Sequence, residues 1–389
     1  MSLRFLTSGE SHGPGLTAIL EGLPAGLAVT TDLIAADLTR RQRGTGAGNR
    51  MAIELDVAQI LGGVMEGRTT GAPISLHIPN KDHANWQGKV VPPFVTPRPG
   101  HTDLAAALKY GYDDFRLALE RASARETASR VAVGAVCRTY LKAFGIEVGG
   151  WVAALGGISA GTKGMLIGRC VEAARASDVS CPDPGAADKI RAAIHAAGEQ
   201  GETLGGIVEV VATGVPAGLG SHVHWDRKLS TRLGAALLSI PAVKGVEFGE
   251  GFASAALRGS QLHDAIRLDG GRLVRPTNRC GGIEGGISNG QPVVARVAIK
   301  PIPTTRKPQP SVNLAEKKES DSPYERSDTC PVPRAVPVVE AMLAFVLADA
   351  LLEKLGGDSL AEQQPRFEQL RKATVDNLPI SGKPHVFWA

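Results

Sequence analysis

Along the chain the spacing of hydrophobic positions switches repeatedly between short apolar runs and helical periodicity, which predicts a mixed architecture. Runs at 3–7, 16–21, 51–55, 72–78, 146–155, 206–212 and 292–299 are bounded by glycine, proline or polar clusters and read as strands. Apolar residues recur at helical spacing over 33–42, after the capping candidates Thr31 and Asp32, and again over 186–197 and 226–238. The most helix-like run opens at 120–130. There Ser123 and Glu126 form a capping-box pattern, 131–137 is almost wholly small and apolar, and Gly145 follows Phe144 as a stop. So apolar a helix is buried, and its small side chains admit close neighbours. A second apolar run, 336–352, is interrupted by Pro337, Glu340 and Asp349 and reads as core rather than a membrane span. The stretches 81–96 and 306–326 read as loops, the latter mobile, and the chain beyond Ser359 as a polar helix with a frayed end.

Two short echoes bear on architecture. Glu21-Gly22-Leu23-Pro24-Ala25-Gly26-Leu27 returns as Thr213-Gly214-Val215-Pro216-Ala217-Gly218-Leu219. Gly62-Gly63-Val64-Met65-Glu66-Gly67 returns as Gly281-Gly282-Ile283-Glu284-Gly285. Their shared order predicts two similar halves, roughly 1–145 and 146–358, in one domain spanning 1–358, with 359–389 as a C-terminal helix and tail. A site would then sit where the halves meet.

Composition changes this picture little. The 389 residues carry a net charge of +4, so basic function must come from local clustering. Five scattered cysteines without a CxxC give neither a disulfide framework nor a zinc site, and with no secretory leader pattern the expectation is a soluble, cytoplasmic protein that binds no metal and no membrane.

Candidate chemistry lies in the turns. Arg121, Arg125 and Arg130 crowd the mouth of the apolar helix, where the dipole favours anions; they form either a phosphate or carboxylate site or a solvated salt-bridge face. Arg41, Arg50, Arg98 and Arg326 also lie in Gly- or Pro-rich junctions, as suits a polyanionic metabolite. Nucleic acid would call for interleaved aromatics, which these loops lack. His12 and His101 sit in turns and can exchange protons near neutral pH or merely pack there; Asp328 offers a base beside Arg326. His222 and His224 read as surface and His83 as ambiguous. No Walker A motif and no GxGxxG after a strand occurs.

These motifs fall in a familiar order. Gly9-Glu10-Ser11-His12-Gly13, Arg40-Arg41-Gln42, Arg98-Pro99-Gly100-His101, Arg121-Ala122-Ser123-Ala124-Arg125-Glu126, Lys244-Gly245-Val246-Glu247, Ser288-Asn289-Gly290-Gln291-Pro292 and Arg326-Ser327-Asp328 resemble chorismate synthase from the first strand to about Leu355. The resemblance implies an α+β, layered β-α-β sandwich assembled as a homotetramer. It implies conversion of 5-enolpyruvylshikimate 3-phosphate to chorismate by 1,4-elimination of phosphate, with reduced FMN required although there is no net redox change. It makes His12 the acid beside the departing phosphate, His101 the proton source for reduced flavin, and Asp328 an aid to proton removal. Arg41, Arg50, Arg98, Arg125 and Arg326 would hold substrate. Arg121, Ala122, Ser123, Pro241, Ala242, Gly285, Lys300, Pro301, Ile302, Pro303, Thr304 and Arg326 would hold the flavin. Glu126 is left as a cap and Arg130 as surface. NADPH would act only indirectly, through a separate flavin reductase. A flavin oxidoreductase consuming NADPH itself and a non-catalytic polyanion or RNA binder are the competing classes.

This chain departs from the family pattern at Ala47, where an arginine is common, at Ala122, where a serine is common, and at Pro241, where an asparagine is common. The loop 81–97 is also shorter than in some relatives.

Overall fold

Two antiparallel sheets enclose a layer of helices in the computed structural model, which describes residues 2–46, 56–325, 327–371 and 375–387. The expected strand at 51–55, together with Ala47, Arg50 and Arg326, lies outside the described residues. The first sheet has the order Arg4–Ser8, Gly15–Glu21, Ile74–Pro79, Gln59–Gly62. Alternation sets its inner face: Leu16, Ala18, Leu20, Ile74, Leu76 and Ile78 are buried, while Thr17, Ile19, Ser75 and His77 are not. The second sheet has the order Val243–Phe248, Val293–Ile299, Gly206–Thr213, Glu147–Leu155, Ile158–Ser159. It turns Val208, Val210, Val293 and Val297 inward.

Between the sheets lie Thr31–Gln42, Thr127–Lys142, Leu229–Leu238 and Val332–Leu355. Thr127–Lys142 meets the first sheet, Val332–Leu355 lies on the second, and the two helices pack against each other. A Cβ on Gly134 would stand 2.2 Å from that of Ala341, so glycine permits this crossing. Val332–Leu355 is long and apolar enough to cross a membrane, yet 83% of its most apolar window is buried inside the molecule. Its Glu340 is wholly buried and grips Arg40 at 2.6 and 2.8 Å and Arg138 at 3.2 Å. The architecture is therefore an α+β, layered β-α-β sandwich. Ile167–Ala176 adds partial cover outside the second sheet, setting Cys170 and Ala174 against Trp151 and Val211.

The echoed turns occupy matching places. After Gly15–Glu21, Thr69 Oγ1 donates to Pro24 O (2.6 Å) and accepts from Leu27 N (2.9 Å). After Gly206–Thr213, Ser288 Oγ donates to Pro216 O (2.6 Å) and accepts from Leu219 N (2.8 Å). Gly63 and Gly282, at φ 80° and 78°, lie so close to Pro73 O and Pro292 O that a Cβ on either would be 2.4 Å away.

Several local expectations change. Thr127–Lys142 starts after a 3-10 turn, Ala124–Glu126, without the capping box. Ser123 Oγ accepts from Arg125 N (3.3 Å), while the Glu126 carboxylate takes Thr7 Oγ1 (3.0 Å) and Arg130 Nε (3.0 Å). Tertiary partners outcompete the local cap. The expected loop 306–326 contains a hairpin, Pro310–Asn313 with Lys318–Asp321, held to Pro97 O by Ser311 Oγ at 2.5 Å. The helix expected over 226–238 begins at Leu229, after a turn at Trp225–Arg227.

Candidate active site

The glycine-rich turn after the first strand is shaped by Asn80, at the end of the third strand of its sheet. Asn80 Nδ2 reaches the carbonyls of Glu10, Ser11 and Gly13 at 3.1, 3.3 and 2.8 Å, and its Oδ1 accepts from Arg125 Nε at 2.9 Å. One amide thus orders the turn carrying His12 and aims Arg125. Arg125 Nη1 meets Asp56 Oδ1 at 2.5 Å, and Arg41 Nη1 meets Asp56 Oδ2 at 3.3 Å. Arg41 is further held by Thr127 Oγ1 and Ala124 O, both at 2.9 Å. All three charged groups are buried. Burial pulls the Arg41 guanidinium down to about 10, with Asp56 opposing, so it stays cationic at neutral pH. Two buried arginines around one carboxylate keep a local excess of positive charge.

His12 is fixed from three sides. Its backbone N donates to Glu120 Oε2 (2.8 Å), its Nδ1 lies 2.6 Å from Glu120 Oε1, and its ring lies 4.2 Å from that of Trp86. His83 Nδ1 stands 3.0 Å from His12 O, so this ambiguous histidine buttresses the turn. His222 and His224 are exposed.

A second cluster forms around 98–103. Arg98 Nε and Nη2 bind Asp103 Oδ2 and Oδ1 at 2.8 and 2.9 Å, and His101 Nδ1 lies 2.5 Å from Asp103 Oδ1. Against the upward push of burial, the bonds from Arg98 and His101 hold the Asp103 carboxyl well below the usual carboxylate range. Thr304 Oγ1 is 3.5 Å from Arg98 Nη1, Ser327 Oγ donates to Thr304 O at 3.2 Å, and Lys300 Nζ donates to Gly100 O. Next to Ser327, Asp328 pairs with Arg334, whose Nε donates to Arg41 O at 3.0 Å. Arg334 therefore links the two clusters.

Arg121, Ala122, Ser123 and Pro241 line a groove of about 760 Å³ beside Phe5, Met342, Phe345 and Val346. Arg121 is anchored to Thr7 O (3.1 Å) and Gly9 O (3.4 Å), while Arg130 makes a salt bridge to Glu126 (3.0 Å), as the salt-bridge reading expects, and also donates to Ser239 Oγ (2.6 Å) on the groove wall. Ala242 adopts φ 69°, a left-handed backbone rare outside glycine, and accepts from Lys300 N at 3.0 Å, which ties the groove's edge to the 300–304 segment. Gly285 lies elsewhere, at the turn of the hairpin Ile283–Glu284 and Ile287–Ser288, which is bonded to Gly218 and Leu219. Arg50 and Arg326 lie outside the described residues. Asp56, Asn80, Asp103, Glu120 and Arg334 were missed from sequence. Only Asp103 had a signal, its place two residues after His101. Among the described residues, no group of three or more His, Cys, Asp or Glu side chains could hold a metal ion.

Residues 3–352 match the family model for chorismate synthase. The chain belongs to the chorismate synthase family. It is similar to the chorismate synthase of Geobacter sulfurreducens, at 50% identity over 383 residues, covering 94% of this chain and 98% of that one. It is similar to that of Moorella thermoacetica at 52% over 379 residues, covering 95% and 98%. A solved structure described as a crystal structure of chorismate synthase aligns with a TM-score of 0.78 at 43% identity, over 95% of this chain and 97% of that one. The span matched by the chorismate synthase model takes in both charged clusters and the groove, and ends before the helix Leu360–Arg371.

Proposed function

We propose that this chain converts 5-enolpyruvylshikimate 3-phosphate to chorismate and phosphate by 1,4-elimination, with reduced FMN required but not consumed. The observation that carries the reading is a buried arginine pair, Arg41 and Arg125 on Asp56, tied through Asn80 to the turn of the carboxylate-partnered His12 and through Arg334 to Asp328, in a chain of this family. A substrate with one phosphate and two carboxylates needs fixed cations screened from water, and guanidinium groups supply them bidentately.

In this reading Arg41, Arg98 and Arg125, with Arg50 and Arg326, bind and orient the substrate. His12, steadied by Glu120, hands a proton to the departing phosphate. His101 holds a proton for the flavin, and Asp328 assists proton removal. The groove suits a flavin: its volume falls in the range of small-molecule sites, and it combines aromatic and aliphatic walls with arginines. Arg121, Ala122, Ser123, Pro241, Ala242, Lys300, Pro301, Ile302, Pro303, Thr304 and Arg326 would hold it, and Gly285, in its separate hairpin, would not. When bound, reduced FMN supplies transient electron density to the breaking C–O bond. The reading includes a homotetramer in the cytoplasm and a separate flavin reductase, through which NADPH enters only indirectly.

The test is anaerobic: protein, substrate, FMN and dithionite should release phosphate, and oxidised FMN alone should release none. Steady NADPH consumption by the chain alone, without phosphate release, would overturn the proposal.

A further inference from the structure

We propose that Asp103 is a positioning residue that fixes His101 as its Nδ1–H tautomer, so that this histidine exchanges protons with ligand through Nε2 alone. The proposal rests on the reading of His101 as a proton-transfer residue, but the tautomer can be read without any activity.

Two groups compete for Nδ1. Arg98 Nη2 lies 2.9 Å from Nδ1 and 3.4 Å from Nε2, while Asp103 Oδ1 lies 2.5 Å from Nδ1. A guanidinium only donates, so it would need a bare Nδ1; a carboxylate only accepts, so it needs Nδ1–H. The shorter contact decides. A bare nitrogen facing a carboxylate oxygen at that distance would oppose two lone pairs, whereas Nδ1–H makes a charge-assisted hydrogen bond. Arg98 loses little, because Asp103 already accepts from its Nε (2.8 Å), its Nη2 (2.9 Å) and its backbone N (3.0 Å).

The carboxylate is itself well fixed. Asp103 is wholly buried and opens the helix Asp103–Tyr110, where the dipole favours negative charge. Gly100, at φ 76°, makes the turn that brings His101 back toward Arg98. Asp103 therefore orients a substrate-binding arginine and a proton-transfer histidine together, and loosening it should disturb both.

The experiment labels histidine with 15N in the full chain and reads long-range proton–nitrogen correlations at a pH where the ring is neutral, with His101→Gln to assign the signals. The expected wild-type result is a protonated Nδ1 and a bare Nε2 on His101. Asp103→Asn, whose amide can donate to Nδ1, should move His101 toward the Nε2–H form and leave His12 unchanged. Phosphate release should fall on the order of 100-fold, the scale of lost acid–base catalysis. A wild-type His101 already in the Nε2–H form would overturn the proposal even if the variant failed to fold. So would a folded variant with an unshifted His101. Absence of phosphate release by the wild type would instead count against the functional reading, while the tautomer still decides this proposal.

Discussion

Thr69→Val isolates the hydroxyl latch of the first half. The change keeps the size of the side chain but removes the hydroxyl that donates to Pro24 O and accepts from Leu27 N. Thr69, Pro24 and Leu27 are all buried, so water cannot replace either bond. Each orphaned group costs about 1–3 kcal/mol, which puts the loss of the two at roughly 2–6 kcal/mol. That is a large share of the ~5–15 kcal/mol typical of a folded domain. Thr69→Ser keeps both hydrogen bonds and removes one methyl, for about 1 kcal/mol. Urea unfolding followed by circular dichroism compares the variants, and an unchanged slope shows that the midpoints report stability. Ser288→Ala should repeat the Thr69→Val loss, because Ser288 makes the matching pair of bonds to Pro216 O and Leu219 N. If Thr69→Val were no more destabilising than Thr69→Ser, the hydroxyl would not be holding the turn and the reasoning would fail.

Other expectations follow from single contacts. Glu120→Gln should leave stability nearly unchanged yet slow phosphate release at least tenfold, since a neutral amide no longer holds His12 Nδ1 as a carboxylate does; steady-state kinetics check this. Glu340→Gln should destabilise by about 1.5–3 kcal/mol in urea, because Arg40 and Arg138 would lose their wholly buried partner and keep only Asp37. Ala122→Ser should tighten flavin binding in a fluorescence titration, adding a hydroxyl to the groove wall; unchanged affinity would remove Ala122 from the flavin contacts. Asp264 tests the acid limb. Slight burial pushes its carboxyl up, but bonds from Thr277 Oγ1 and the backbone of Arg279 and Cys280 bring it from 3.8 down to about 2. A depressed folded value means stability that is fully present above 3.8 and lost as pH falls through about 2. Asp264→Asn should therefore flatten thermal stability against pH within that window.

The central strands were legible because alternation is local: Leu16, Ala18 and Leu20 announce a buried face whatever lies across it, whereas the outer strands Gln59–Gly62 and Val243–Phe248 were not read from sequence. The apolar core of Thr127–Lys142 was legible for the same reason, and the repeated Pro-Ala-Gly-Leu turns pointed to matching geometry. The helices Asp103–Tyr110 and Ile167–Ala176 were not, since they are short and much of each is exposed. Polar anchors were the least legible part of the site. Asn80 looks like a strand-end asparagine until Gly13 and Arg125 arrive from distant parts of the chain. Ser123 and Glu126 failed as a capping box because Thr7 and Arg130 competed for the same carboxylate. Arginine-rich turns could be found from sequence, but which carboxylate steadies which arginine is a tertiary fact.

The helix Val332–Leu355 also sets a timetable for biosynthesis. Both sheets leave the ribosome before it, since every one of their strands lies within 4–299. Until the helix follows, inner positions such as Val208 and Val210 lack a principal partner, and Gly134 has no Ala341 against it. At ~5–20 residues per second, the interval between residues 299 and 355 leaves an unfinished apolar core open for several seconds. Nascent chains halted in that interval should be strong chaperone clients, and a chain cut before Val332 should aggregate rather than fold as two independent halves.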